Sequence, residues 1–590
     1  MTGGGPAAGT KPSGGAASPT DALPPGRESP RTTRHVAVMT VIAVGVLLPP
    51  HAFATAVAGP GATVHHIAQI AVGAMLLKAA LLLNAFLFAA APYMRIAGRS
   101  SDRHGLAPRA TSPNNPPWTR IQVAAAVFVL VLGTGLRIPS LGDGLWFDEI
   151  QTYVDYVRLP LAQIISTFDS QNQHLLYSIL ARVSVVIFGD SVWALRLPAV
   201  CFGVASLGAL IWFGERITAR REALLAALIL AVSYHHVWFS QNARGYTGLL
   251  FFTLIGSGCF LLLLRKPGIH TGRYIVGYAV SMALAHMIHV TAVFATAAQA
   301  LVLVWLLCLH RKELANRGWR APVAGLVLAG SLSFLAYAVV LPQFMATLLI
   351  PPDAGSATVW KDPAWMLTEG LRVLISGIPG GLLAVAVAAF VIGAGVVSYW
   401  RRSGTATAVM LLPPIVTGAA VMILSHNLWP RFFFFSAGFI VLIAVRGGFA
   451  VVDALLPPKY VAHVGVGGAL LVAAASLLTV PRAWHPKQDF EAARVFVQGH
   501  RGPGDAVAVT DMTSYVYTRY YHLPWTIVTS AADLGVLETG HSRTWMVVTF
   551  PVRLQTGEPT LWARLTNSYR TVAHYPGTVG GGDLYVMVTR

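Results

Sequence analysis

Charge is the scarce ingredient of this chain. Only 11% of its 590 residues are Asp, Glu, Lys or Arg, against the roughly 25% that covers a soluble globular protein. That shortage argues against a water-soluble fold, and the hydrophobic share of 55% with a mean hydropathy of +0.60 points the same way. Acids are the scarcer sign, 24 against 42 basic residues. The surplus of +18 does not describe a nucleic-acid binder, because the basic residues fall mainly in short loops between apolar runs. Cysteine is nearly absent: Cys201, Cys259 and Cys308 lie inside apolar runs far apart, which speaks against a disulfide framework and against a metal site built on Cys. The apolar runs hold no Asp or Glu, so a transporter's coupled ion path has no evident carriers. A Gly-rich phosphate cradle and an Asp-x-Asp metal motif are also missing, and Gly580–Gly582 precedes a strand and reads as a hairpin turn.

What is present is a series of apolar runs near the ~20 residues that cross a bilayer as a helix. Thirteen are expected, at about 36–58, 66–90, 121–138, 191–213, 223–242, 246–264, 274–290, 291–309, 321–342, 381–400, 405–425, 432–450 and 460–481. This makes an α-helical polytopic membrane protein. With a cytoplasmic N-terminus, twenty-two basic residues face inward, against six in the outward segments: Arg158, Arg182, Arg244, Lys361, Arg372 and Arg431. His174–Phe188 is apolar but short and contains Arg182, so it reads as a juxtamembrane helix. Lys78, mid-span, is expected to snorkel or to pair with a neighbouring helix.

Four regions follow. Residues 1–35 are a disordered cytoplasmic tail, with 1–30 rich in Gly, Ala, Pro and Ser rather than a cleavable signal peptide. Residues 36–120 hold two further spans and a basic cytoplasmic loop, and 121–481 form the main transmembrane domain. Residues 482–590 form a small extracytoplasmic α/β domain that acts as a lid or docking unit. Helix-like and strand-like segments alternate along it: Gln488–His500, then Ala506–Thr510, Ser514–Tyr521, Thr526–Thr529, Trp545–Thr549 and Leu584–Val588.

The stretch that organises the chain is Leu141–Tyr153, LGDGLWFDEIQTY, where Asp148 and Glu149 stand behind Trp146 and Phe147 just past a span. An Asp-Glu pair alone is an ordinary solvated loop. The outward segments add Asp169 to His174, Arg244 in SQNARGY, His286 and His289 at a span end, Lys361, Asp362, Glu369 and Arg372, and His426 and Arg431 in HNLWPRF. Singly, each has a plain reading as a headgroup anchor or a core histidine. Together they place an acid pair, several cations and aromatic walls on one membrane face. Carboxylates suit a general base, and Arg, Lys and His suit a phosphate.

LWFDEIQTY, then VWALRLPAVCFG, SQNARGY and WPRFFF, resemble the polyprenyl-phosphate-sugar-dependent glycosyltransferases of the GT-C superfamily. The likeness is to the bacterial branch related to protein O-mannosyltransferases and lipid A aminoarabinose transferases, and it covers about residues 120–480. It implies a GT-C-type fold in the plasma membrane, to whose common core the two spans before residue 120 are extra. It also implies a polyprenyl-phosphate sugar donor used on the outer face, a glycan, lipid or protein acceptor, and hexosyl or pentosyl transfer. Asp148 matches the catalytic base and Glu149 its partner. Arg244 and Tyr246 match the second motif, Arg431 the basic residue at the donor phosphate, and His289 a span-end His; Lys361 is a further candidate cation. The tail's Gly502-Pro503-Gly504-Asp505 stands where relatives carry a helix, PGD and a strand after the last span.

The second motif often has an acid where this chain has Asn242, so a metal held by two carboxylates is disfavoured, although a divalent cation stays open. With no second carboxylate placed as a nucleophile, a single inverting displacement is expected. An envelope polysaccharide polymerase or ligase is the alternative enzyme, and a scaffold or lipid-substrate transporter the alternatives outside that class.

Overall fold

The computed structural model describes residues 2–3, 30–90, 116–265, 268–309, 318–349, 362–377, 381–427 and 429–590. Residues 1 and 4–29 of the expected tail, and Lys361, therefore lie outside the described residues, while helix begins at Pro30, so positions 30–35 are helical.

All thirteen apolar stretches fall on helix, but not all as single long spans. Among the described residues nine helices are long and apolar enough to cross a membrane, or eleven if each of two bent pairs is one span. The first stretch is such a pair, α1 (Pro30–Leu47) and α2 (Pro50–Ala58), meeting at 85°. Pro49 and Pro50 lack the N–H groups a continuous helix needs. The break frees the Leu48 carbonyl, and Lys78 of α3 (Val64–Ala90) donates to it at 3.3 Å, the pairing expected of that lysine. Arg120–Gly135 (α4) has 16 residues. After the short helices α5 (Phe147–Thr152) and α6 (Leu161–Ile164), the juxtamembrane segment is α7 (Leu175–Phe188), 14 residues.

The remaining bundle comprises α8 (Val192–Gly214), then α9 (Arg220–Ala231) bent by 64° into α10 (Tyr234–Ser240), then α11 (Tyr246–Leu263) and α12 (Thr271–Ile288). Arg273 and His286 make α12 less apolar than the other spans, and α4 and α12 are the two expected spans outside the nine and the bent pairs. Next come α13 (Ala292–Leu309), α14 (Arg320–Tyr337), α15 (Leu341–Leu349), α16 (Pro363–Gly377), α17 (Gly381–Arg402) and α18 (Gly404–Ile423). A 3₁₀ turn at Pro430–Ser436 leads into α19 (Ala437–Leu455), and α20 (Pro458–Leu477) closes the series. Helices α17 and α19 cross so closely that a β-carbon on Gly395 would overlap the Ile443 carbonyl, and one on Gly447 that of Val391. With no hydrophobic drive between helices in lipid, small residues of this kind permit the contact.

The C-terminal region starts with α21 (Phe490–His500) and builds one five-stranded sheet. Its strands are β1 (Ala506–Val509), β2 (Thr526–Ile527), β3 (Thr544–Thr549), β4 (Tyr569–Tyr575) and β5 (Leu584–Thr589), in the order β2-β1-β3-β5-β4. β1 runs parallel to β2 and β3, whereas β5 is antiparallel to β3 and β4. Gly580–Gly582 lies in the β4–β5 connection, with Gly581 at φ +70°. Of the alternating segments, Ser514–Tyr521 is helical over most of its length, running from α22 (Asp511–Tyr515) into a π-turn at Val516–Tyr520. At its start the Thr510 N–H donates to Thr513 Oγ1 (3.1 Å), whose hydroxyl in turn donates to the Thr510 carbonyl (2.7 Å).

Candidate active site

Helix α5 is a single short helix held from three sides. Trp146 precedes it, donating from its ring Nε1 to Asn242 Oδ1 (3.0 Å) while the ring packs on Trp238. Glu149 points inward and is fully buried. Its carboxylate takes both arms of Arg196 from α8, Nε at 2.8 Å and Nη2 at 2.6 Å, and the backbone N–H groups of Ala243 (2.6 Å) and Trp146 (3.3 Å). Arg196 in turn donates to the carbonyls of Leu141, Asp143 and Gly144, gathering the LGDG turn around it. Burial alone would raise the Glu149 pKa, but the Arg196 charge and hydrogen bonds outweigh it and hold the carboxyl below its usual range. All four ligands of this carboxylate come from protein. Glu149 thus sits as a pin between α5, α8 and the α10–α11 turn rather than beside Asp148.

One residue earlier on the same helix, Asp148 turns the other way and stays partly open, its side chain 14% exposed. Its Oδ2 accepts from Arg431 Nη1 at 2.9 Å, and no protein partner meets Oδ1 among the described residues. Arg431 comes from the 3₁₀ turn before α19, lies over the Trp429 ring, and has a buried Nε–H without a partner.

Arg244 is buried and largely occupied by protein. Its Nη1 donates to Thr152 Oγ1 (2.8 Å) and the Asn172 carbonyl (2.6 Å), and its Nη2 lies 2.8 Å from His174 Nε2. Only its Nε is left unpartnered. His174 accepts from the Gly245 N–H at Nδ1 (2.9 Å), and burial, followed by the Arg244 charge, holds its pKa well below the usual range, so the ring is neutral. Gly245 is required at that turn, because a β-carbon would overlap the Ile288 carbonyl. Around this cation the rings close in: His174 to His289 at 4.6 Å, Tyr246 to His289 at 5.1 Å, and His289 to Phe432 at 5.9 Å.

The expected residues divide accordingly. Asp148 and Arg431 meet directly, Arg244, Tyr246 and His289 form the wall behind them, and Lys361 is outside the described residues. His286 does not join them; it bridges Ser333 and Thr296 between α12, α13 and α14. Arg158 lines a different cavity with Arg182.

Two residues of the site escaped the sequence. Arg196 had a signal, a lone Arg inside an apolar span. Lys487 had none. It follows the last span, is buried, donates to the Gln241 carbonyl (2.8 Å) and lies 5.0 Å from the Trp238 ring centre. Burial pushes its pKa down to about 7, with the Glu149 charge opposing. Its neighbour Gln488 accepts from the Phe147 N–H (3.1 Å), while Tyr515 packs on Phe147 and donates to Asp155. The C-terminal region is thus seated on α5.

These donors do not suit a metal ion. Glu149 is consumed by Arg196, Asn242 Oδ1 by Trp146, and among the described residues no group of three His, Cys, Asp or Glu stands together as a cation cage.

Comparison with known proteins gives no matching family model and no matching curated protein. The solved proteins to which the chain is similar include ArnT, AglB and EmbB. ArnT from Cupriavidus metallidurans, bound to undecaprenyl phosphate, aligns at 15% identity over 79% of this chain and 97% of that one, with a TM-score of 0.43. The oligosaccharyltransferase AglB from Archaeoglobus fulgidus, solved with an inhibitory peptide and a dolichol-phosphate, aligns at 13% identity over 79% and 74%, TM-score 0.45. The arabinosyltransferase EmbB from Mycobacterium smegmatis aligns at 15% identity over 70% and 45%, TM-score 0.32.

Proposed function

We propose that this multi-pass membrane protein is a GT-C-type glycosyltransferase that moves a sugar from a polyprenyl-phosphate donor to a glycan, lipid or protein acceptor on the outer face of the plasma membrane. The observation that carries the reading is the Asp148–Arg431 pair: a partly open carboxylate 2.9 Å from a cation that keeps a buried, unpartnered Nε–H. A buried donor left unsatisfied costs about 1–3 kcal/mol, and an anionic oxygen satisfies it. Arg244, with its own unpartnered Nε–H, supplies a second such group.

In this reading the acceptor hydroxyl gives its proton to Asp148 as its oxygen bonds to the anomeric carbon. The bond from that carbon to the donor's phosphate oxygen breaks at the same time, and the polyprenyl phosphate leaves with the electron pair. One displacement inverts the anomeric centre. Arg431 pairs with the Asp148 carboxylate before the donor arrives and meets the leaving phosphate as charge builds there, where a preorganised cation contributes most. Lys361 is carried as a third cation. Glu149, Arg196 and Lys487 position α5 without touching the reacting atoms.

A lipid-anchored donor reaches an outward site within the membrane plane, whereas nucleotide sugars are cytoplasmic. The purified protein is therefore expected to transfer sugar from a polyprenyl-phosphate donor and to be inert with nucleotide sugars, with or without divalent metal. Direct turnover of a nucleotide sugar by the pure protein overturns the proposal.

A further inference from the structure

Away from Asp148, the juxtamembrane helix α7 borders two cavities. The first, about 210 Å³, is lined by Tyr153, Val157, Arg158, Arg182, Val185 and Asp190. The second, about 370 Å³, runs along Leu161, Val183, Val186 and Ile187. Arg182 lines both, so a polar pocket and an apolar groove meet at one guanidinium.

The polar pocket is built for an anion. Arg158 packs 5.7 Å from the Tyr153 ring centre, and neither it nor Arg182 has an ion-pair partner among the described residues. The single acid, Asp190, accepts from the Tyr153 hydroxyl at 2.6 Å. Two cations against one carboxylate leave the pocket net positive. The groove beside it is apolar and open: Val186 is 66% exposed and Ile187 65%, with Leu161 and Val183 also exposed. At 14 residues, or about 21 Å at 1.5 Å per residue, α7 is too short to cross a hydrocarbon core of about 30 Å. It lies along the interface instead, where a cationic edge faces headgroups and an apolar edge faces acyl chains.

We propose that this is a binding site for an anionic phospholipid of the surrounding bilayer. Its phosphate bridges Arg158 and Arg182, a headgroup hydroxyl reaches Asp190, and one acyl chain lies along Val183, Val186 and Ile187. The site shares no lining residue with the Asp148–Arg431 pair and stands whether or not the proposed transferase reaction is correct.

The test is native mass spectrometry of the full-length protein released from nanodiscs containing phosphatidylcholine, with or without phosphatidylglycerol. The wild type should retain phosphatidylglycerol in preference to phosphatidylcholine. The Arg158→Gln/Arg182→Gln double variant should lose that preference by about tenfold, and the Lys pair at the same positions should keep most of it, because the charge survives without the fork. Should the Gln variant fail to fold, Ile187→Trp blocks the groove and leaves both cations; it should also reduce retention. Equal retention by the wild type and either loss variant overturns the proposal. So does a result in which added polyprenyl phosphate, and not phosphatidylglycerol, is the lipid whose binding depends on the two arginines.

Discussion

At the N-terminal end of α9, Glu222 accepts from Thr218 and from Arg446 of α19 (2.9 Å), and Arg446 also donates to Ser398 Oγ (2.9 Å). At the other end of the bundle, around α5, Glu149 is saturated in the same way by Arg196, Ala243 and Trp146. Asp148, next to it in sequence, has one partner, and the two cations near it, Arg431 and Arg244, each retain an unpartnered Nε–H. Buried charge is costly in both places. Where every lone pair and N–H is answered by protein, the cost is met inside the fold and the pair ties helices together. Where donors are left over, the proposed ligand has groups to meet, and that contrast distinguishes the proposed site from the Glu222–Arg446 pair.

The largest effect that sharpens the contrast is on turnover. Asp148→Asn keeps the shape and removes the proposed base, so the rate should fall by about 10²–10⁴ while the melting temperature stays near wild type. Unchanged activity would take Asp148 out of the mechanism. The saturated pairs should respond in the opposite way. Glu149→Gln leaves the buried Arg196 without its counter-charge, and breaking such a pair costs about 3–5 kcal/mol; Glu222→Gln does the same to the part-buried Arg446 and should cost less. Thermal unfolding in detergent should register both losses. The two should then differ in the protein that still folds: Glu149→Gln lets α5 drift and lowers kcat, whereas Glu222→Gln leaves kcat intact. If Glu222→Gln were as inactive per folded molecule, the division between site and scaffold would fail.

A somewhat smaller change is expected from Arg431→Ala, about 10²–10³ in kcat, the range for removing one preorganised donor from a developing anion. Arg431→Lys should recover part of it, since a point charge lacks the planar fork. Wild-type kinetics in the Ala variant would make Arg431 a headgroup anchor.

A further effect belongs to Lys487 and appears as a slope with pH. Its folded pKa is about 7, below the ordinary 10.5. Between those values the unfolded chain holds the proton and the folded chain does not, so stability rises with pH across the window and is lowest below pH 7. Lys487→Met should flatten that part of the melting-temperature curve measured from pH 6 to pH 10. A variant curve parallel to wild type would mean that the amine is not buried as described.

The architecture was legible because hydropathy is local. Runs of uncharged residues can only be helices in a bilayer, since backbone groups there must be satisfied within the segment, and all thirteen expected runs are helical. The pairing of LWFDE with WPRFFF was accessible as a motif, and the structure brings Asp148 and Arg431 of those motifs into contact. Errors arose where a local break decides. Proline breaks turned the first stretch into a bent pair. β4 went unseen because its exposed Arg570, Thr571 and His574 carry no core pattern.

By itself, then, the sequence determined the membrane class, the position of the acid pair beside a span and the α/β character of the C-terminal region, all set by composition and short-range pattern. Only the tertiary structure decided which acid is open and which is buried. Adjacent residues on a helix point about 100° apart, as 3.6 residues per turn requires, so whichever of Asp148 and Glu149 meets Arg196 is lost to the solvent side. The same holds for Lys487: nothing local distinguishes it from the other basic residues after Pro481. Its burial against Trp238 and Gln241 follows from the C-terminal region being seated on α5.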